Sequence, residues 1–311
     1  MMLSDWIKKV ELDKQKAPVD APTPTGKPQE PVSVKEVVDT SPVEKAGADV
    51  PTAPQTLEVT PLVVMCHYKN ADMTTMSVKT LLKTNPWVKK VLLVDTSVEQ
   101  DAPVDLDKRV QIVPLKGAVH ANGIQKALDW AKSKLYAGCK KGKDKWVLLL
   151  DSDVLFDHDV SGIIKKAQDD GNVLTGHEHP KRNNIYGMLV LPRIHPAFCL
   201  MNITWLFKND IPFTDWKRIK PLNMAPLSNK PGDWDVKKVH DEGLDRLYDV
   251  GGTMYEDVLK KGGKIWNLGL IWEWNYDKEK KPETVYHIGC VSWAPNDEKV
   301  VWAMKKAEEI L

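Results

Sequence analysis

The cysteines are few and scattered: Cys66, Cys139, Cys199 and Cys290 make no close pair, which argues against a zinc module or a disulfide-stapled small fold. No run approaches the roughly 20 apolar residues that span a bilayer, and the N-terminus lacks the apolar core of a secretory signal. These absences point to a reducing, cytoplasmic compartment. Charge of one sign is missing too. Lys and Arg number 44 against 43 Asp and Glu, a net charge of +1, so no global field draws the chain to nucleic acid or to an acidic membrane. The one local cluster, Lys140, Lys141, Lys143 and Lys145, reads as a solvated loop.

Aromatic residues are absent between Pro18 and Pro54, where eight of the 21 prolines fall. Such a segment cannot bury enough apolar surface to order itself. We therefore expect a disordered Pro-rich tail over residues 1–58 and a folded domain over 59–311. At the head of the tail, Leu3, Trp6, Ile7 and Val10 fall at helical spacing behind Ser4. That short amphipathic helix is either a docking peptide for a protein partner or a frayed terminus.

From Leu62 the pattern alternates strand and helix, which builds a parallel sheet with helices on its faces. Strands are expected over Leu62 to Cys66, Val91 to Val94, Val110 to Val113 and Trp146 to Leu150. Further strands are expected over Val173 to Thr175, Met188 to Leu191 and Ile194 to Met201. A helix over Met73 to Leu82 ends at Asn85-Pro86, and another runs through Ala127, Leu128, Ala131 and Leu135. After Met201 the pattern is hard to read, with eight of the 12 tryptophans between Trp205 and Trp302. Most belong in a core. Trp272 and Trp274 cannot face one way in a strand, which offers one ring for stacking on a ligand.

Lys145-Trp-Val-Leu-Leu-Leu-Asp-Ser-Asp153 carries most of the chemistry. Its apolar run predicts a strand covered on both faces, and ligands gather at the carboxyl ends of such strands. Asp151 and Asp153 would then offer hard oxygens to Mg2+ or Mn2+ and a diphosphate, the site of a nucleotide-dependent transferase. Spacing alone is weak, since Asp105/Asp107, Asp157/Asp159 and Asp233/Asp235 share it. The preceding strand distinguishes this pair; the plain alternative is a capped turn after a core strand.

Over roughly Pro61 to Trp293 the chain resembles the nucleotide-diphospho-sugar glycosyltransferases of GT-A fold, in particular family 2-like members of bacteria and phages. Asp151-Ser-Asp153 matches that family's Asp-x-Asp motif. Val64-Met-Cys-His-Tyr-Lys-Asn70 looks like its nucleoside-bordering loop, Val91-Leu-Leu-Val-Asp-Thr-Ser97 like its second strand, Gly117-Ala-Val-His-Ala-Asn-Gly123 like its sugar-nucleotide turn, and Tyr286-His-Ile-Gly289 like its late metal histidine. The resemblance implies a Rossmann-like, mostly parallel sheet flanked by helices, with a nucleotide-sugar half over 59–155 and an acceptor half over 156–311. It implies donor contacts from His67, Asp95, His120, Asn122 and Asp151, and metal ligation by Asp151, Asp153 and His287. Asp95 could equally serve an Asx turn, His120 and Asn122 a helix cap, and His287 an ordinary half-buried position.

Transfer with inversion also needs a base for the acceptor hydroxyl. Asp249 and Asp257 are the candidates. Thr253 and Glu256 form a capping box that starts a helix at Met254 and leaves Asp249 in the preceding loop, whereas Asp257 lies in a Glu-Asp motif like that of many family 2 enzymes. No Gln/Arg-x-x-Arg-Trp motif is present, which argues against a processive synthase. The resemblance therefore implies a hexosyl- or pentosyltransferase using Mn2+ or Mg2+ and a nucleotide-sugar, UDP-linked by expectation. The acceptor is a glycan, a lipid-linked sugar, a protein or a hydroxylated base in phage DNA. One alternative is a nucleotidyltransferase, which would want a glycine-rich phosphate loop where Cys66 to Asp72 has no glycine. The other is a non-catalytic carbohydrate-binding or scaffold protein.

Overall fold

Four β-rich aliphatic runs become adjacent parallel strands, three of them buried on both faces and the fourth, Val110–Pro114, half-buried at the sheet edge. They are β1 (Leu62–His67), β2 (Val91–Asp95), β3 (Val110–Pro114) and β4 (Trp146–Asp151). The structure, a computed structural model, describes residues 51, 53–103, 105–118, 120–135, 144–179, 182–183, 189–215, 218, 246–247, 251–269, 272, 282, 284–289 and 298–311. The N-terminal helix expected around Trp6, the Pro-rich tail up to residue 50, the lysines 140–143, Trp274 and Asp249 lie outside the described residues.

Between these strands run helix α1 (Ala71–Thr84) and helix α2 (His120–Leu135), followed after β4 by a two-residue strand β5 (Val154–Leu155) and helix α3 (Ser161–Asp169). The chain continues through β6 (Leu174–His179), two short strands β7 (Arg182–Asn183) and β8 (Leu189–Val190), and the long β9 (Arg193–Asn202). Helix α4 (Ile203–Lys208), β10 (Arg246–Leu247), helix α5 (Gly252–Lys260), β11 (Ile265–Asn267), β12 (Tyr286–His287) and helix α6 (Glu298–Ile310) complete the described elements.

The central sheet has seven strands in the order β11-β6-β9-β4-β1-β2-β3, and only β9 runs against the others. The fold is thus mixed α/β with a mostly parallel, helix-flanked sheet. One face buries Val64, Leu92, Val147 and Leu149 against Ile124 and Leu128 of α2 and Met254 and Val258 of α5. The other buries Met65, Leu93, Leu148 and Leu150 against Val78 and Leu81 of α1 and Ile163 and Ile164 of α3. Each fully buried Leu or Val adds about 1.5–3 kcal/mol, so the double covering of β4 anchors whatever its end carries.

Several boundaries differ from expectation. Helix α1 begins earlier than Met73 because the Asn70 side chain accepts from Met73 N at 3.1 Å. Ahead of residue 59, Gln55 N donates to Ser161 Oγ at 2.7 Å. The capping box does not form. Helix α5 starts at Gly252 with Gly251 as its N-cap, a residue with no side chain to offer, so Thr253 falls inside the first turn with its Oγ1 accepting from Asp215 N at 3.0 Å, and Glu256 pairs with Arg218 and Lys260. Trp272 is core, stacked on Trp302 with centroids 5.5 Å apart and set edge-on to Tyr286. No helix among the described residues is long and apolar enough to cross a membrane.

Candidate functional site

The parallel register aligns the strand ends. Cys66 pairs with Asp151 and His67 with Asp95, so β2, β1 and β4 deliver Asp95, His67 and Asp151 to one edge, their carboxyl edge. Helix α2 starts at that edge with His120, and Asn122 lies half-buried in its first turn. Gly123 permits the approach, since a Cβ there would sit 2.7 Å from Thr96 Cγ2.

Past Asp151 the chain turns at once into β5, which pairs antiparallel with β12: Val154 opposes His287, and Ile288 N donates to the Asp153 carbonyl at 3.0 Å. That pairing carries a histidine from far downstream to the two carboxylates. His287 Nε2 lies 3.6 Å from Asp153 Oδ1 and 3.8 Å from Asp151 Oδ2. The turn is held from behind by α1, whose Ser77 Oγ donates to the Ser152 carbonyl at 2.8 Å. Ser77→Ala is expected to cost about 1 kcal/mol, read as a shift in urea midpoint.

A fourth group was not legible as a site residue. His195, on β9, places Nδ1 3.9 Å from Asp151 Oδ2, and its ring centroid is 4.7 Å from that of His287. Donor atoms of Asp151, His195 and His287 all lie within 4.8 Å of one another. Burial, then the charges of His287 and Arg193, hold the His195 imidazole well below its ordinary pKa, with Asp151 offsetting only part. His179 stands edge-on to this imidazole with centroids 5.7 Å apart, and Arg193 is buried alongside. The available signal was Pro196: a proline inside an otherwise strand-like run marks a bulge, and a bulge beside a strand end re-aims its neighbours.

One carboxylate and two imidazoles with donor atoms within 4.8 Å of one another, and Asp153 beside His287, suit a divalent cation. Donors bound to one ion at about 2.1 Å sit about 3–3.5 Å apart, so side-chain movements on the order of an ångström let them share one.

The second cluster is differently occupied. His67 is fully buried, its Nδ1 2.8 Å from Thr74 Oγ1 and its Nε2 3.1 Å from Asp101 Oδ1. Asp95 is buried and accepts from Ser97 N at 3.0 Å and Ser97 Oγ at 2.5 Å, the local turn that its position after a strand allows. Burial would raise the Asp101 carboxyl, but hydrogen bonds with Ser97 and His67 outweigh it and hold it below its usual value. Elsewhere at the edge, Glu178 at the end of β6 accepts from Tyr255 Oη at 3.3 Å and from Asn267 Nδ2. Burial pushes its carboxyl up, partly offset by Tyr255. Cys66 and Cys199 are free and buried, and burial pushes the Cys199 thiol up to about 12, which makes it inert as a nucleophile.

Both oxygens of Asp257 are engaged by Arg218 Nη1, at 2.6 and 2.7 Å. No protein-family model and no curated protein matches the chain. Among solved structures, the mannosyltransferase PcManGT from Pyrobaculum calidifontis, in complex with GDP-Man and Mn2+, superposes with a TM-score of 0.38 at 12% identity, over 69% of this chain and 59% of that one. The chain thus spans less than two thirds of that protein's length.

Proposed function

We propose that the protein is a metal-dependent glycosyltransferase that moves a sugar from a nucleotide-diphospho-sugar to an acceptor hydroxyl. The observation that carries this reading is the meeting of Asp151, Asp153 and His287 at the carboxyl end of β4, with carboxylate to imidazole distances of 3.6 and 3.8 Å. A ligand at that edge of the sheet would meet these carboxylates and, farther along, Asp101, the exposed member of the His67–Asp95–Asp101 group. A divalent ion held there supplies neutralisation of the leaving diphosphate. Asp153 and His287 hold it, with Asp151 supporting the ion or the sugar. Buried Arg193 adds a fixed positive charge on the same side as His195. His67, Asp95, His120 and Asn122 border the nucleotide, a UDP-sugar by expectation.

Inversion assigns the acceptor proton to a carboxylate. Asp249 is favoured over Asp257, because Arg218 must release Asp257 before its oxygens can take a proton. Asn variants at both positions, compared for kcat at saturating donor, assign the base. The acceptor is a glycan, a lipid-linked sugar, a protein or a hydroxylated base in phage DNA, handled in the cytoplasm.

Calorimetry with a panel of nucleotide sugars and Mn2+ tests the reading. Metal-dependent binding with slow donor hydrolysis is expected; a chain that binds no nucleotide sugar with or without metal is a scaffold, and the reading fails. Mass spectrometry of the same mixtures with candidate acceptors then identifies the product.

A further inference from the structure

The donor set at the end of β4 is richer in nitrogen than a pair of carboxylates with one histidine requires. His195 comes from β9, the one antiparallel strand among the described strands of the central sheet, and not from the β5–β12 pair that carries His287. Its Nδ1 faces Asp151 Oδ2 at 3.9 Å and accepts from Ala197 N at 3.1 Å. An atom that accepts from a backbone N–H carries the lone pair, so the proton of the neutral ring sits on Nε2. The nitrogen turned toward the carboxylate is therefore the unprotonated one, and a cation needs only to replace a neutral N–H···N contact to gain it.

We infer that His195 is a third protein donor beside Asp151 and His287, and that this nitrogen-rich site takes a borderline first-row cation such as Mn2+, Co2+ or Zn2+ in preference to Mg2+. The inference rests on the metal-dependent reading above and narrows it. Mg2+ prefers oxygen ligands in a near-ideal octahedron and keeps its waters, whereas imidazole suits the later first-row ions. Two imidazoles and one carboxylate also leave further positions open, which a catalytic site needs and a closed structural site lacks. Asp153, 3.6 Å from His287 Nε2, keeps the ligand role given to it above and is the fourth donor of the set.

The test is Co2+ binding to the metal-free full chain, followed by visible absorption and calorimetry, with Mg2+ as competitor and with no nucleotide sugar present. Wild type is expected to bind one Co2+ with bands of nitrogen coordination that millimolar Mg2+ does not erase. His195→Ala is expected to lose at least about tenfold in Co2+ affinity, since even the loss of an outer partner costs a metal site that much. His195→Gln keeps an acceptor for Ala197 N without the imidazole, so the same loss in a variant with wild-type circular dichroism and thermal midpoint separates ligation from folding. Equal Co2+ affinity in wild type and both variants, or displacement by equimolar Mg2+, overturns the inference and leaves the carboxylate-centred reading standing. If Asp151→Ala and Asp153→Ala also leave Co2+ binding unchanged, the metal-dependent reading itself fails.

Discussion

Asp153→Ala should lower sugar transfer by about a hundred- to a thousandfold while the protein stays folded. The magnitude follows from removing one group that stabilises charge on the leaving diphosphate, worth about 3–4 kcal/mol in a preorganised site. The fold should survive because the main chain, not the carboxylate, fixes this turn. The Asp153 carbonyl accepts from Ile288 N at 3.0 Å, the Ser152 carbonyl accepts from Ser77 Oγ at 2.8 Å, and Val154 and Leu155 are fully buried just beyond. None of these contacts uses the Asp153 side chain. Donor hydrolysis and transfer, measured beside circular dichroism and a thermal midpoint, check both halves of the statement. Full activity in this variant would remove Asp153 from the metal site.

The candidate site was only half legible in the sequence, for a physical reason. Asp151 and Asp153 follow an apolar run whose burial dictates both a strand and its place in the sheet, so local pattern sufficed. The strands at β1, β2 and β3 were readable for the same reason, each ending one residue later than the aliphatic run, at His67, Asp95 and Pro114. His287 could be nominated only by resemblance. Its two-residue strand Tyr286–His287 is too short for a periodic signal, and only its pairing with Val154 and Leu155 fixes where the ring goes. The Thr253 capping box failed because Gly251 became the N-cap and left Thr253 inside the helix, its hydroxyl accepting from the distant Asp215 N, a tertiary contact that local spacing cannot foresee. His195 was hidden most deeply, since Pro196 marks an irregularity in β9 but only the register of β9 against β6 fixes where the His195 ring goes.

That irregularity supplies the second large effect: Gly176→Ala should destabilise the protein by about 3 kcal/mol, at the upper end of the cost of overpacking. Ahead of the bulge Gly176 faces Cys199, and beyond it Glu178 faces Ile194, so β9 gains extra residues around Pro196 and folds close over β6. A Cβ on Gly176 would lie 2.2 Å from the Phe198 carbonyl oxygen and 2.5 Å from Ile194 Cγ2. The first neighbour is backbone and cannot rotate away. Phe198 is itself fully buried on the other face of the sheet, so β9 cannot simply lift off. Relief must come from a shift of the bulged segment, which includes His195. The substitution is therefore expected to lower both the urea midpoint and the affinity for Co2+, although residue 176 belongs to neither the carboxylate turn nor the late histidine strand. A variant with unchanged stability would mean that the close approach of β9 to β6 is not rigid, and that the bulge does not set the position of His195.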